Sequence, residues 1–383
     1  MELYIHFPFC RQKCRYCDFV SFPGMEDSMD AYITALLREA ELCSGDVAES
    51  IETVYFGGGT PSLIPSGLMR RLTRGLAERL PLGQVREWTS EANPGTLTQE
   101  WADAARSCGI TRLSLGMQAY QPRLLALLGR IHRFEEVRKS FETARKAGFQ
   151  NLSVDLIFGI PSQTLSDWSE TLTAAFSLFP DHLSAYGLIP EENTPLWQDL
   201  QNGSLSLPED EEERAMYSQL LTLTRRLGYQ QYEISNFAKP GFECIHNIGY
   251  WNQTPYLGLG VSASSMVHLS RSETGIRYLR RTNTDRLEEY LKGIAADRPV
   301  LREKEWIEAE EARFETMMLG LRMNRGVSEN TFFLRHGVPL QACYGKRLDL
   351  LRQQGFLFRE SDSWKLTRKG MDLQNTVLVS LMD

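Results

Sequence analysis

The sequence predicts an α/β protein: a partial (β/α)6 TIM-type barrel followed by a mostly helical, winged-helix-like C-terminal domain. Short apolar segments alternate with longer amphipathic ones up to about residue 190, which is typical of βα units around a parallel sheet. From Gly326 the spacing changes to short helices and a two-strand wing around Leu357 and Trp364. Six units leave an open barrel, whose active face is the carboxyl end of its strands.

The elements follow in order along the chain. The six candidate strands are the short apolar runs at residues 3–7, 51–56, 87–91, 112–116, 152–158 and 182–189. Helical patterns lie between them at 30–42, 68–80, 98–108, 121–147 in two pieces, and 165–179. Beyond them we expect a helix at 209–227, a strand at 230–235 and helices at 285–296, 303–323, 328–335 and 341–354. This order divides the chain into a barrel (1–240), a connecting segment (241–300) and a C-terminal domain (301–383).

Composition limits the classes of function. The 383 residues include 42 Lys or Arg and 49 Asp or Glu, so the net charge is -7 and the protein is not built to coat nucleic acid. The longest stretch without these charged residues, 244–270, contains Asn, Pro and Gly, so it does not fit an apolar membrane span. No basic and then apolar leader begins the sequence, and we expect a cytoplasmic protein. Residues 326–370 carry eight basic and four acidic residues, a surplus too small to favour DNA binding by the winged module.

The strongest motif is a C-x3-C-x2-C run formed by Cys10, Cys14 and Cys17 on the loop after the first strand. Cysteine thiolates suit zinc or iron-sulfur clusters. A structural zinc site requires a fourth ligand, usually from a second cysteine pair, and the remaining cysteines form no such pair. An iron-sulfur cluster with one iron open is therefore favoured over zinc and over reduced thiols on an exposed loop.

Polar residues follow the next strands. Gly57, Gly58 and Gly59, before Thr60, allow the backbone to approach a ligand closely, although glycine clusters are mostly turns. Four polar residues end or follow later strands: Glu91, Gln118, Arg130 and Asp155. A carboxylate inside an apolar strand is costly to bury alone, so Asp155 is expected to reach a ligand or cation, or else to pair with Arg130 as a brace.

A second motif, H-N-x-x-Y-W, comprises His246, Asn247, Tyr250 and Trp251. Taken alone, a histidine among aromatic residues is more often a core residue than a ligand. The motif nevertheless offers an imidazole and an aromatic surround suited to a heme. Cys244, two residues earlier, is a competing axial ligand.

These residues carry a resemblance to a family. Y-I-H-F-P-F-C at 4–10, the cysteine run and Asp18-Phe19 resemble the radical S-adenosylmethionine (SAM) superfamily. Within it, the sequence is similar to the branch of oxygen-independent coproporphyrinogen III dehydrogenases and HemW-type heme chaperones. The resemblance implies a [4Fe-4S] cluster on the three cysteines, with SAM on its open iron. It implies that SAM is bound by Tyr4, Tyr16, Gly58, Gly59, Thr60, Glu91, Gln118, Arg130 and Asp155.

The resemblance also implies a function. H-N-x-x-Y-W is similar to the pattern of the heme chaperone branch, whereas the oxidase branch extends its motif to C-x3-C-x2-C-x-C, where this sequence has Phe19, and places a longer segment before the first cysteine. We therefore expect a heme chaperone that hands heme to apo-cytochromes or other hemoproteins, including membrane-bound ones that it would meet as a peripheral protein. A dehydrogenase acting through a 5'-deoxyadenosyl radical, a regulatory iron-sulfur protein that binds DNA, and a homodimer stay open.

Overall fold

A computed structural model describes residues 1–47, 49–272 and 275–382. Its central feature is a curved sheet in which seven parallel strands lie side by side. They are β1 (Glu2–Phe7), β2 (Thr53–Gly58), β3 (Glu87–Ala92), β4 (Arg112–Gln118), β5 (Asn151–Phe158), β6 (His182–Gly187) and β7 (Tyr256–Leu259). The first six pair in sequence order, and β7 pairs in parallel with β1 on its other side. The predicted (β/α)6 partial barrel is confirmed, with a seventh strand that the sequence analysis missed.

Helices connect the parallel strands and cover the outside of the sheet. They are α1 (Met29–Leu42), α2 (Ser66–Arg79), α3 (Gln99–Ser107), α4 (Pro122–Leu127), α5 (Phe134–Lys146) and α6 (Leu165–Ser177). Local sequence fixes several helix starts: Thr98 accepts a hydrogen bond from Trp101 N at 3.1 Å, and Thr164 and Asp167 form a capping box. Apolar faces of the strands and helices join in one core that includes Leu36, Leu113 and Trp168.

Three antiparallel strands extend the sheet beyond β7. They are β8 (Ser264–Ser272), β9 (Gly275–Asn283) and β10 (Leu301–Ile307), with α10 (Leu287–Ala295) between the last two. The prediction of a helix over 303–323 was wrong in its first part, because residues up to Ile307 pair with β9 as an edge strand. The helix α11 begins only at Ala309 and ends at Gly320.

The other edge of the sheet is short and irregular. After β6 come α7 (Pro195–Gln201), which the sequence analysis missed, and α8 (Asp210–Arg226). The strand predicted at 230–235 is reduced to Gln230–Gln231, which pairs with a second short strand, Asn236–Ala238. The helix α9 (Ile245–Trp251) then brings the H-N-x-x-Y-W motif back to the barrel, where it contacts β2.

The C-terminal residues have a separate apolar core. It is built on α12 (Glu329–His336), α13 (Leu340–Gln353), α14 (Arg368–Asp372), α15 (Gln374–Met382) and a three-stranded wing of Val327–Ser328, Leu357–Glu360 and Ser363–Leu366. Trp364 is buried at its centre with Phe332 and Leu348. The predicted winged-helix-like arrangement is confirmed. No helix among the described residues is long and apolar enough to cross a bilayer.

Candidate functional site

The three motif cysteines lie on one loop at the carboxyl end of β1. Two neighbouring connections hold this loop: Arg15 N donates to Leu128 O at 3.0 Å, and Leu196 N donates to Arg15 O at 2.9 Å. Cys10, Cys14 and Cys17 are all half-buried free thiols. In the described part of the chain, no three His, Cys, Asp or Glu side chains gather tightly enough to hold a single metal ion.

A chain of hydrogen bonds links two of these thiols through the ends of three strands. Thr60 Oγ1 donates to Cys10 Sγ at 3.4 Å, and Asn93 Nδ2 donates to Thr60 Oγ1 at 2.8 Å. Arg130 Nη2 donates to Asn93 Oδ1 at 2.7 Å, while its Nη1 donates to Cys14 Sγ at 3.5 Å. Donors aimed at sulfur stabilise negative charge there, so the barrel is arranged to support thiolates at these two positions.

Burial opposes that charge when no metal is bound. It raises the pKa of Cys17 to about 11 and also raises the pKa of Cys10. Because metal binding requires thiolates, a cationic partner must offset the burial. The positive charge of Arg130 offsets part of this burial effect, since it lowers the pKa of Cys10.

The glycine motif at the end of β2 lies directly against the start of the cysteine loop. Gly58 has a φ of +102°, and a Cβ there would lie 2.4 Å from the His6 ring. A Cβ at Gly59 would lie 2.6 Å from Phe7 O. Neither position admits a side chain, so the backbone can lie close to the cavity, but its N–H groups are already used: Gly58 N donates to Glu91 at 3.2 Å and Gly59 N donates to Phe7 O at 2.6 Å.

Two half-buried carboxylates line the same cavity. Glu91 accepts hydrogen bonds from Tyr55 OH at 3.0 Å and Gly58 N at 3.2 Å, and Asp155 accepts from Ser114 Oγ at 2.9 Å. Burial and then the neighbouring Asp155 raise the pKa of Glu91 to about 7, and burial raises the pKa of Asp155. A cationic ligand would relieve both costs.

Arg130 does not brace Asp155. Its guanidinium is used by Asn93, Cys14 and the carbonyl of Gly116, the last at 2.8 Å. Gln118, at the end of β4, adopts a φ of +64°, which is uncommon for a residue with a Cβ. This backbone turn coincides with an irregularity in the pairing of β4 with β5, and Gln118 lines the cavity.

The sequence analysis missed Asn93 and Arg112. Arg112 is only 2% exposed at the start of β4, yet its Nε has no hydrogen-bond partner and its side chain lines the cavity. Its charge lowers the pKa of both Glu91 and Asp155. The signal was present in the sequence: a charged residue inside an otherwise apolar strand, the same argument that identified Asp155.

Together these groups enclose what we call the cluster cavity, with a volume of about 410 Å³. It is lined by all three motif cysteines and by eight of the nine predicted SAM residues: Tyr16, Gly58, Gly59, Thr60, Glu91, Gln118, Arg130 and Asp155. Tyr4 is not part of this lining. Its ring stacks on Tyr55 with 6.2 Å between ring centroids, and its hydroxyl bonds to His6 Nδ1 at 3.0 Å.

The H-N-x-x-Y-W helix is fixed inside the barrel by its histidine. His246 is 1% exposed, its Nδ1 bonds to Thr53 Oγ1 at 2.8 Å and its Nε2 to Tyr250 OH at 3.1 Å. Burial lowers the pKa of His246 to about 3, so the ring is neutral. Glu87 caps the helix by accepting from His246 N at 3.1 Å and from the Cys244 thiol at 3.4 Å. Both candidate axial ligands are thus engaged in protein hydrogen bonds.

The rest of the motif faces a second cavity of about 740 Å³, here called the lateral groove. Asn247, Tyr250 and Trp251 line it, together with residues 185–189 at the end of β6, the first turns of α8, residues 233–236, Arg322 and residues 371–373. Residues 186–189 and Asn247 line the cluster cavity as well. The two cavities therefore share one wall, and Ile189 on this wall is 71% exposed.

The residues present fit an open iron-sulfur cluster and a SAM-like ligand. Three thiols, two of which have donors aimed at their sulfur, a backbone without room for side chains at Gly58 and Gly59, and two carboxylates that favour a cation all lie around one cavity. Such a ligand carries cationic groups that Glu91 and Asp155 would stabilise.

Comparison with known proteins agrees with this geometry. A sequence model of the Radical SAM superfamily matches residues 4–175, and one of the HemN C-terminal domain matches residues 307–373. The chain is similar to the heme chaperone HemW of Lactococcus lactis, with 35% identity over 98% of this chain and 95% of the relative. It is 34% identical to the heme chaperone HemW of Escherichia coli over 99% of this chain and 97% of that one.

A solved structure shares the whole fold. Coproporphyrinogen III oxidase (HemN) from Escherichia coli, a radical SAM enzyme, superposes with a TM-score of 0.85 and 22% identity, over 99% of this chain and 89% of that one. At this identity the likeness establishes the fold alone, while the full-length relatives establish the family. The chain belongs to the radical SAM superfamily and, within it, to the HemW family.

Proposed function

We propose that the protein is a heme chaperone that binds heme and transfers it to apo-cytochromes or other hemoproteins while carrying a [4Fe-4S] cluster and SAM. The observation that carries the proposal is that three residues of the H-N-x-x-Y-W motif line a groove large enough for a ligand and share a wall with the cluster cavity. The names of the full-length relatives support the same function.

In this proposal Cys10, Cys14 and Cys17 hold the cluster, which supplies single electrons and one open iron when bound. The nine predicted residues bind SAM, with Tyr4 acting from behind Tyr55 rather than from the cavity wall. Gly58 and Gly59 leave room for the ligand because neither position carries a side chain, and Glu91 and Asp155 neutralise its cationic end. Arg130 ties the ligand site to the cluster through Cys14.

Heme binds at His246, Asn247, Tyr250 and Trp251, with His246 as the proposed axial ligand. Tyr250 both lines the lateral groove and occupies His246 Nε2. Its hydroxyl must therefore move away before Nε2 can bind iron. Cys244 is the competing ligand, but it is fully buried, and burial raises the pKa of its thiol, which disfavours the thiolate that iron would need.

The test is a heme titration of protein reconstituted without oxygen, followed at the Soret band. His246→Gln is expected to lose the shifted band, because glutamine can still bond to Thr53 but is a poor iron ligand. Tyr250→Phe is the matched control: it keeps the ring and frees Nε2 of one hydrogen bond, so heme should bind about 2- to 10-fold more tightly. An unchanged spectrum in His246→Gln would exclude this histidine as the ligand.

An oxygen-independent coproporphyrinogen III dehydrogenase is the second candidate. The three cysteines and eight of the nine predicted SAM residues around the cluster cavity favour it, because this enzyme would need the same cluster and the same SAM. Conversion of coproporphyrinogen III to protoporphyrinogen IX by the reconstituted protein under strict anaerobiosis would establish the enzyme and overturn the chaperone. Heme binding without conversion supports the chaperone.

Delivery to membrane-bound cytochromes from the cytoplasm, as a peripheral protein, belongs to the same proposal. So does the division of the chain into a barrel (1–240), a connecting segment (241–300) and a C-terminal domain (301–383). We do not expect nucleic acid to be a partner, because the whole chain carries a net charge of -7.

A further inference from the structure

The lateral groove contains buried polar atoms that lack partners. Trp251 Nε1 and Arg322 Nε are buried donors with no hydrogen bond, and Glu233 Oε2 and Asn236 Oδ1 are buried acceptors with none. Glu233 is 0% exposed and Asn236 is 2% exposed. All four side chains line this one groove. Because buried polar groups in native proteins are nearly always satisfied, such a concentration around one groove points to a ligand whose binding shifts these side chains and satisfies them.

The two donors form one unit. The Arg322 guanidinium lies over the Trp251 ring, 4.8 Å from its centroid, so the motif tryptophan holds the arginine in place. Arg322 comes from the turn after α11, far along the chain from the motif. Its Nε has no hydrogen bond, and burial raises the pKa of nearby Glu233 although the charge of Arg322 opposes this rise, which reduces the negative charge that could compensate the guanidinium.

We propose that Arg322, positioned on Trp251, binds the carboxylate groups of a planar tetrapyrrole in the lateral groove. The inference rests on the proposed function and deepens it, because it assigns the propionate end of the cargo. A planar guanidinium suits a carboxylate by two parallel hydrogen bonds, and the indole N–H supplies a further donor beside it.

Charge sets the orientation of the cargo. On its α8 side the groove is lined by two acids, Asp210 and Glu213, against one cation, Arg214, so the net charge there disfavours carboxylates. The propionates therefore point toward Arg322, and the apolar edge of the ring lies toward Leu188 and Ile189 on the wall shared with the cluster cavity.

The experiment compares two probes in the holoprotein: heme and heme dimethyl ester, in which both propionates are blocked. Arg322→Gln is expected to weaken heme binding at least about 10-fold, the value of a charge-assisted hydrogen bond, and to leave the affinity for the ester unchanged. Arg226→Gln is the matched control, since it removes the same charge from an exposed position at the end of α8 and should change neither affinity. Trp251→Phe should lose less than Arg322→Gln.

The ratio of heme to ester affinity within one variant separates binding from folding. If Arg322→Gln does not fold, the same ratio of heme to ester affinity can be measured in Arg322→Lys, which keeps the charge but loses the two parallel hydrogen bonds. That ratio should lie between the wild-type value and one. Equal heme affinity in Arg322→Gln and wild type, or an equal loss for heme and ester, would overturn the inference and leave heme binding itself intact. Failure of the wild type to bind either probe would overturn the proposed function.

Discussion

The cluster cavity and the lateral groove differ in how far their polar groups are already satisfied. In the cluster cavity, hydrogen bonds run without a break from Cys10 through Asn93 to Cys14, although Arg112 Nε in the same lining has no partner. In the lateral groove, Trp251, Arg322 and Glu233 each keep a buried atom without a partner. The first site is prepared before its ligands arrive, as a cofactor that stays bound requires. The second completes its hydrogen bonds only with a ligand, as suits a cargo that must leave.

Removing one cluster thiol should have the largest effect. Cys14→Ser is expected to abolish cluster assembly and leave the barrel folded, because the loop is half-exposed and contributes little to the core. Iron and sulfide content and the circular dichroism melting curve measure the two effects. Cys108→Ser, at the end of α3 and outside the cavity lining, should keep the full cluster. If Cys14→Ser is unfolded, the fold requires the cluster, and the cluster cavity is not formed before its cofactor binds.

Filling the glycine cradle tests whether the prepared site is rigid. Gly58→Ala adds a Cβ at 2.4 Å from the His6 ring at a positive φ, so we expect the free energy of unfolding to fall by roughly 2–4 kcal/mol and SAM binding to be lost. Gly67→Ala, in α2 with open space around it, should be neutral or slightly stabilising. Urea denaturation and SAM titration measure both. Tight SAM binding by Gly58→Ala would show that the backbone around Gly58, or the His6 ring, moves to accept the added methyl group.

The Glu91 carboxylate in the cluster cavity should lower the free energy of unfolding at neutral pH. The pKa of Glu91 is about 7 in the folded protein against an ordinary value of 4.5, so the folded state binds the proton more tightly. Stability therefore falls as pH rises from about 4.5 to 7, by at most about 3 kcal/mol for this group. Glu91→Gln should remove that slope, raise the melting temperature at pH 8 and weaken SAM binding.

Melting curves from pH 5 to pH 8 without SAM measure this slope. Glu142→Gln, an exposed glutamate paired with Arg138, should leave it unchanged. A wild-type slope retained in Glu91→Gln would assign the titration to another buried acid.

The smallest effect is expected from one donor in the thiol network. Thr60→Val keeps the side-chain shape but removes the bond to Cys10, so the reduction potential of the cluster should fall by about 60 mV, because the reduced cluster loses a donor to its sulfur. Thr173→Val, on the exposed face of α6, is the control. Protein film voltammetry measures the shift. An unchanged potential would show that the hydrogen bond from Thr60 to Cys10 does not stabilise the reduced cluster.

The cluster cavity was predictable from sequence because the carboxyl ends of parallel strands meet at one edge. Each strand delivers its own residue, so Glu91, Gln118 and Asp155 could be placed by position alone. The lateral groove was not predictable, since it joins α8, α9 and the turn with Arg322, which no local pattern relates. The edge strand β10 was mistaken for a helix because residues 303–306 are all exposed and lack an apolar alternation.

Anaerobic reconstitution with iron and sulfide, followed by simultaneous measurement of cluster, SAM and heme, tests the central claim most directly. We expect one [4Fe-4S] cluster, one SAM and one heme per chain at the same time, because the two cavities share a wall but, of the proposed binding residues, only Asn247 lines both. Heme that displaces the cluster, or zinc bound by Cys10, Cys14 and Cys17 in place of iron, would contradict it.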